Sequence, residues 1–411
     1  MPVSGRWRRT EMAEIEHVDI LIVGTGPSGT STALHLVKQN PAWAKRIIMV
    51  DKAVHPREKL CGGGVTHLGQ NILARLGLPF EPQNFEVREV RLVYRDKSYS
   101  FYGNPVFRVV RRDEFDHWLV KTAESLGVRI RQGEAVKQVT PHPDYIEVTT
   151  DKATFHAKVL VAADGSRSFI RRALKWDDGP EPAPRVARLL EVLTPEDAHT
   201  QPEFKNGVAI FDFSRMTDGL QGYYWDFPSY VKGQPHMNRG VFDSRAVPSR
   251  PKAPLKEILR DALRQRQRRL EDYQLKGHPI HWWSSKARFA MPRVLLVGDA
   301  AGVDPLFGEG ISFALGYGEV AAAAIADAFA RQDFSFATYK ARLRKHPLFF
   351  QLRIRTRLAR FAYLLQYPWL VRLGWQVARW VIRFTRWRNP EYVPAESPRL
   401  LLTDLVQTSG D

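Results

Sequence analysis

The chain has 411 residues, with 61 Lys and Arg against 44 Asp and Glu, a formal net charge of +17. Its 44% hydrophobic and 26% charged residues exclude general disorder, because there is ample apolar side chain to offset chain entropy. The single cysteine, Cys61, excludes an internal disulfide and a zinc site built on paired thiolates, and no metal site is expected.

Residues 1–16 read as an N-terminal extension without the apolar stretch of a secretory signal, and Met12 is a natural start before the first strand. An apolar strand over 20–23 meets Gly24-x-Gly26-x-x-Gly29, a helix follows over 28–38, and a second apolar strand over 46–50 ends at Asp51. This β-α-β unit puts glycines where a tight turn, close approach of a pyrophosphate and close helix–strand packing each need them. Pro27 and Ser28 open the helix, whose first N–H groups favour phosphate, and Asp51, with Lys52 beside it, is placed for ribose hydroxyls. Residues 87–101 alternate, with Val90, Leu92 and Tyr94 on one face, as in one strand of an antiparallel sheet. A helix over 114–125 comes next, then Val136, a hairpin over 145–156, and an apolar strand over 159–162 that runs into Asp164-Gly165. Residues 177–184 read as a linker, and the chain to about 280 as strands, apart from a charged helix over 255–273. The strand 294–297 runs into Gly298-Asp299, Pro305-x-x-Gly308-x-Gly310 follows, and an Ala-rich helix covers 313–331.

A dinucleotide with a long ribityl chain needs distant strand ends to converge on it, and Asp164-Gly165 and Gly298-Asp299 are two such ends. Asp299 suits ribityl hydroxyls, and the helix start at Gly308, Gly310 and Ile311 suits a flavin ring edge, where negative charge grows on reduction. Together with the glycine turn, these elements point to FAD rather than NAD.

The charge is unevenly placed. Residues 331–390 hold 14 Lys or Arg and one acid, Asp333, a net of +13, which leaves +4 for the remainder. Trp369, Trp375, Trp380 and Trp387 lie in the same segment. Arg372, Arg379, Arg383 and Arg386 form one helical stripe beside Leu373, Val377 and Phe384, and Arg353, Arg357 and Arg360 do the same beside Phe349, Phe350 and Ile354. This mixture suits helices lying on an anionic membrane surface over 345–390; packing of the apolar faces on the protein itself is the alternative. Nucleic acid is not expected, since its readers present less Leu, Val and Trp beside the basic stripe. No uncharged apolar run reaches the roughly 18–20 residues of a spanning helix, so the expectation is a cytoplasmic protein attached peripherally.

The motif set resembles the FAD-dependent oxidoreductases of the p-hydroxybenzoate hydroxylase fold over about residues 17–330, and within them is most similar to the geranylgeranyl reductase family. Lys59-Leu60-Cys61-Gly62-Gly63-Gly64-Val65 looks like that family's cysteine–glycine segment beside the flavin. Tyr223-Tyr224-Trp225-Asp226-Phe227-Pro228 matches its Y-x-W-x-F-P signature, and Pro305-Leu306-Phe307-Gly308-Glu309-Gly310-Ile311 its P-L-x-G-E-G-I helix start. Arg112, three residues before Phe115-Asp116, matches the position that reaches the FAD.

The expected fold is α/β. A Rossmann-like FAD-binding domain (17–86, 104–176, 281–332) is interleaved with an antiparallel β-sheet substrate domain (87–103, 177–280), and C-terminal basic helices follow (333–411). The resemblance implies reduction of carbon–carbon double bonds in a polyprenyl chain of a lipid, quinone or pigment precursor, with hydride from reduced flavin N5 and NAD(P)H or ferredoxin as reductant. Tyr223, Trp225 and Phe227 alternate along a strand and, with Phe307, would wall a prenyl channel; packing in a sheet core is their other role. Two proton sources fit: Tyr223, and Cys61, whose neighbours Arg57 and Lys59 favour thiolate character. His67 and Glu309 read as turn or surface groups. The same scaffold serves monooxygenases and halogenases of hydrophobic substrates, and a non-catalytic flavin-binding adaptor for membrane or RNA is a further class.

Overall fold

The structure, a computed structural model, describes residues 15–176, 186–364 and 367–384, with side chains to Val377. The extension before residue 15, the 177–184 linker, and the basic stripe and tryptophans beyond Val377 lie outside these described residues and side chains.

Strand Ile15–Val23 is the centre of the parallel part of a mixed eight-stranded sheet, whose other pairings are antiparallel. Ile47–Asp51 pairs on one side, Ile20 opposite Ile47, and Thr154–Ala162 on the other, Ile20 opposite Val159. Val294–Leu296 and Arg129–Gln132 extend it outward, again in parallel. Residues 20–23 and 47–50 of these strands are buried on both faces and therefore read as unbroken apolar runs rather than alternating ones. Helices Pro27–Gln39 and Ile311–Arg331 pack against each other beside this sheet; a methyl group on Gly318 would lie 2.5 Å from Ser31 Cβ, so they close on a glycine. Ile311–Arg331, with 21 residues, is by length and composition able to cross a membrane, but most of it is buried inside the protein.

The second sheet runs in the order Lys276–His281, Val186–Pro195, Gln234–Asp243, Gly222–Val231, Val208–Asp212, Asn84–Tyr94, Lys97–Val110, Gly64–Thr66. All pairings are antiparallel except Val208–Asp212 with Asn84–Tyr94. The stretch 87–101, read as one strand, is a hairpin that turns at Arg95-Asp96, with Arg95 at φ +54°. Alternation continues through both arms, and the turn carries no glycine or proline, so the pattern has no visible break. The arms also run past 87 and 103, which brings 84–110 into this sheet. The charged helix ends early, at Gln265.

Three helices close the described chain: Tyr339–Lys345, Pro347–Ala362 and Pro368–Phe384. The middle one is two-faced. Leu348, Phe349, Leu352 and Ala359 are buried, Phe349 meeting the Tyr317 ring edge-on at 4.6 Å, whereas Phe350, Ile354, Leu358 and Phe361 are exposed.

Candidate active site

A single cavity of about 1440 Å³ joins the glycine turn of the first sheet to the aromatic face of the second. At its first end the chain leaves Val23 through Gly24, at φ +107°, where a methyl group would lie 2.3 Å from the Ala163 carbonyl oxygen. On Gly29 it would lie 2.0 Å from the Gly24 carbonyl oxygen. Gly26 is different: its open side faces only the Arg57 and Arg112 guanidinium groups, 3.5 and 3.9 Å from a methyl position. Helix Pro27–Gln39 starts there with no side-chain cap and no acid in its first turn, which leaves its N–H groups and positive dipole end to the cavity. Arg112 is held by Asp116 through two bonds of 2.7 and 2.8 Å, and Arg57 reaches the same carboxylate at 3.2 Å. Two guanidinium groups share one carboxylate, so net positive charge remains for a pyrophosphate.

Asp51 sits where an adenosine ribose is expected, but it also serves the protein. Its Oδ2 accepts from the Thr25 amide and hydroxyl, both at 2.8 Å, and its Oδ1 from the Ala53 amide at 2.9 Å. Burial raises its pKa, yet these donors and the Arg57 charge outweigh burial and hold it below the usual carboxylate range. Asp164 turns Oδ2 toward the Ile170 amide at 3.0 Å, and burial pushes its carboxyl up. Lys52, Val136, Gly165, Asp299, Gly308, Gly310 and Ile311 all line the cavity. Gly29, Gly298 and Pro305 do not: Gly298, at φ +59°, packs on Ser28, whose Oγ would lie 2.5 Å from a methyl group there, and the Pro305 carbonyl accepts from Ser244. They shape the wall from behind. The glycine cradle, uncapped helix start and paired arginines fit a dinucleotide diphosphate.

The cysteine–glycine segment lies between the two ends. Cys61 is half-buried; its amide donates to Glu191 Oε1 at 3.4 Å, its carbonyl accepts from Asn238 at 3.0 Å, and its Sγ accepts from the Gly63 amide at 3.4 Å. Burial pushes the thiol up, against the pull of Arg112, so the expected thiolate character is corrected to a neutral thiol. Lys59 does not serve the sulfur: it donates to His278 Nε2 at 2.8 Å, burial lowers its own pKa, and His278 is pushed down to about 3 by burial and by Lys59. Gly63, at φ +79°, leaves 2.1 Å between a methyl position and the Val110 carbonyl oxygen, so the segment lies flush on strand Lys97–Val110.

Beyond Cys61 the wall is aromatic. Tyr223, Trp225, Phe227 and Phe307 all face the cavity, with Phe211 packed between them at ring distances of 5.0 Å to Tyr223 and 4.9 Å to Phe227. The Trp225 indole donates to Asn238 at 2.9 Å. The Tyr223 hydroxyl donates to the Phe307 carbonyl, and burial raises its pKa well above 10. Its proton is donated to the backbone in this structure, and burial raises the phenol as it raises the Cys61 thiol.

Sequence reasoning missed the groups that hold the 304–310 loop. Arg355, from helix Pro347–Ala362, reaches Asp304 at 2.8 Å and Glu309 at 2.6 Å, Thr66 donates to Glu309 at 2.6 Å, and the Tyr363 hydroxyl donates to the Leu306 carbonyl at 2.7 Å. Glu309, read as a surface group, is thus buried, and the Arg355 charge outweighs burial to hold its carboxyl low. Only the isolated acid in the apolar run Leu189-Leu190-Glu191-Val192-Leu193 offered a signal for Glu191. The far end of the cavity is closed by Leu358 and Phe361 of one C-terminal helix, by Tyr363 just after it, and by Val371 and Trp375 of the next helix. Trp375 packs on Phe213 at 5.0 Å, while Phe361 and Trp369 are 66% and 64% exposed. The packing weighed for this segment is therefore present on the inner face of the pair, and the outer face exposes apolar and basic side chains. Among the described residues no group of acids, histidines and cysteine could hold a metal ion.

The profile of the FAD binding domain family matches residues 17–326. A menaquinone reductase of Mycolicibacterium smegmatis is 29% identical, covering 74% of this chain and 75% of its own. Digeranylgeranylglycerophospholipid reductase 2 of Methanosphaera stadtmanae is 28% identical, covering 77% and 80%. A geranylgeranyl bacteriochlorophyll reductase-like protein from Thermoplasma acidophilum superposes with a TM-score of 0.72 over 96% of this chain and 97% of that one, at 20% identity, a likeness of fold. A probable FAD-dependent monooxygenase and a halogenase share the fold as well. The chain belongs to the FAD binding domain family and is an FAD-dependent oxidoreductase, with geranylgeranyl reductase-like proteins among its relatives and structural neighbours.

Proposed function

We propose that the protein reduces carbon–carbon double bonds in the polyprenyl chain of a lipid, quinone or pigment precursor. The observation that carries this reading is the single cavity running from the dinucleotide cradle, past Cys61, into an aromatic arm closed by C-terminal helices. FAD, when bound and reduced, supplies a hydride; NAD(P)H or ferredoxin is the proposed source of its electrons. Gly24, Gly26, Pro27, Ser28, Arg57 and Arg112 bind and orient the cofactor, and Asp51 and Asp299 meet its hydroxyl groups. Phe211, Tyr223, Trp225 and Phe227 exclude water and hold the chain, each buried methylene contributing about 0.8 kcal/mol. Cys61, neutral and facing the cavity, gives the second alkene carbon its proton. Tyr223 fixes Phe307 and with it the loop.

The outer face of the C-terminal helices, with Phe350, Ile354 and Phe361 among Arg353, Arg357 and Arg360, docks on an anionic membrane surface and brings the cavity to its hydrophobic substrate. Incubation of reduced enzyme with geranylgeranylated lipid or menaquinone without oxygen tests the reaction: products heavier by two hydrogens support it. Product formed only with oxygen, carrying a new oxygen atom, would assign the protein to the monooxygenases instead.

A further inference from the structure

We infer that Glu191 is the proton reservoir behind Cys61: its carboxyl group, replenished from a polar pocket on the far side of the cysteine segment, restores the proton of the thiol after each turnover. The inference rests on the proposed reduction and on Cys61 as its proton donor.

Glu191 lies on strand Val186–Pro195, 3% exposed, in an otherwise apolar run. Its Oε1 accepts from the amide of Cys61 itself, and its Oε2 accepts no hydrogen bond. A carboxylate in such surroundings is costly unless it has work that needs it. It does not lie in the main cavity. It lies in a second pocket of about 380 Å³, lined by Glu58, Lys59, Arg111, Glu191 and Lys276, which shares Glu58, Lys59 and Leu60 with the first. The carboxyl group therefore stands between a polar pocket and the cysteine that faces the substrate arm.

The charged groups around it come from every neighbouring element. Lys276 is its cross-strand partner on Lys276–His281 and is itself bonded to Glu58; further along the same strand His278 holds Lys59; Arg111 precedes helix Arg112–Ser125. Gln234–Asp243 contributes the neutral Asn238, which binds the Cys61 carbonyl. Burial pushes Glu191 up to about 7, against the pull of Arg111, the Cys61 amide, Asn238 and Lys276. The Cys61 thiol is also pushed up, and the negative charge of Glu191 is one of the causes. A carboxylic acid near 7 gives its proton downhill to a thiolate whose parent thiol lies higher.

The balance closes. One alkene carbon receives a hydride, two electrons and a proton, from reduced flavin; the other receives a proton as the Cys61 S–H bond breaks. The thiolate takes a proton from Glu191, and the Glu191 carboxylate is reprotonated from bulk solvent through the pocket, so that the net reaction consumes one solvent proton per double bond. Flavin is oxidised, the alkene is reduced, and nothing else changes redox state.

The test uses FAD-loaded enzyme and Glu191→Gln. Cys61 is the single cysteine, so iodoacetamide alkylation reads one thiol. Without the neighbouring negative charge, the variant thiol reacts at least threefold faster at pH 8 than the wild-type thiol. Turnover falls about tenfold, with a larger solvent isotope effect and without the decline above pH 7 that the wild type shows. Identical alkylation profiles in the two proteins would overturn the inference, whatever the substrate. Absence of prenyl reduction by the wild type would instead overturn the proposed function while leaving the alkylation result intact. If the variant loses FAD, Glu191→Met, which also lacks the charge, takes its place, and loss of FAD by both would assign Glu191 to cofactor retention and end the reservoir role.

Discussion

Arg355→Met removes the cation that joins the C-terminal helices to the loop at the cavity. Among the described residues, Arg355 is the one cation paired with either Asp304 or Glu309. Asp304 is fully buried and keeps only the Leu306 and Phe307 amides, at 2.8 and 3.3 Å; Glu309 keeps the Thr66 hydroxyl. Breaking a buried pair by removing one partner costs about 3–5 kcal/mol. Part of that cost is returned by a proton. Burial already holds the Asp304 carboxyl above its usual range despite Arg355, so it is the first group to protonate once the guanidinium is gone. In the variant the folded-state pKa is raised, so the folded protein binds more protons than the unfolded chain and its stability rises as pH falls. In the wild type Glu309 is held low, and its contribution is present above the unfolded value and lost as pH falls through the folded one. The gap between the two proteins therefore narrows by about 1.4 kcal/mol per pH unit while one proton is taken up. Denaturant unfolding of the FAD-loaded proteins at about pH 7.5 and pH 5 measures it. A deficit below about 1 kcal/mol at pH 7.5, set against the 3–5 of a broken buried pair, or one of equal size at both pH values, would refute the reasoning.

Gly24→Ala places a methyl group 2.3 Å from a backbone oxygen at φ +107°, so FAD content of the purified protein should fall at least tenfold as the turn shifts. Cys61→Ser should lower turnover by about 10²–10⁴, the range of general acid catalysis, with FAD spectra unchanged; Tyr223→Phe should cost about 1 kcal/mol of stability for one hydrogen bond and keep turnover within tenfold. Replacing Arg353, Arg357, Arg360 and Arg372 by Ala should weaken binding to anionic vesicles by about 4 kcal/mol at about 1 kcal/mol each, close to a thousandfold, and binding that is equal on neutral vesicles or after substitution would remove the docking role. Truncation near residue 335 is no substitute for that experiment, because it also removes Arg355 and Tyr363 from the loop they hold.

What was legible in the sequence follows from range. The cofactor half is encoded locally: Gly24, Gly26 and Gly29 sit within six residues between two apolar strands, Gly24 and Gly29 answering a contact or a φ that no other residue meets as cheaply and Gly26 leaving an open side toward Arg57 and Arg112. The alternating aromatics of 223–227 share a face because any strand puts i and i+2 together. The contacts of Arg355 span 46 and 51 residues and cross between separate helices and loops, so no spacing rule reaches them. The cysteine illustrates a different limit. Arg57 and Lys59 are its neighbours in sequence, but the fold turns one to Asp116 and the other to His278, and burial then decides the state of the thiol. The hairpin at Arg95-Asp96 escaped because a turn that takes a positive φ without glycine leaves the hydrophobic alternation intact.

The most direct measurement is mass spectrometry of a polyprenyl lipid or quinone after anaerobic incubation with the chemically reduced, FAD-loaded enzyme, beside Cys61→Ser. The account predicts a product two hydrogens heavier, formed with reoxidation of one flavin per double bond and strongly slowed in the variant. Flavin that stays reduced and a substrate of unchanged mass would contradict it.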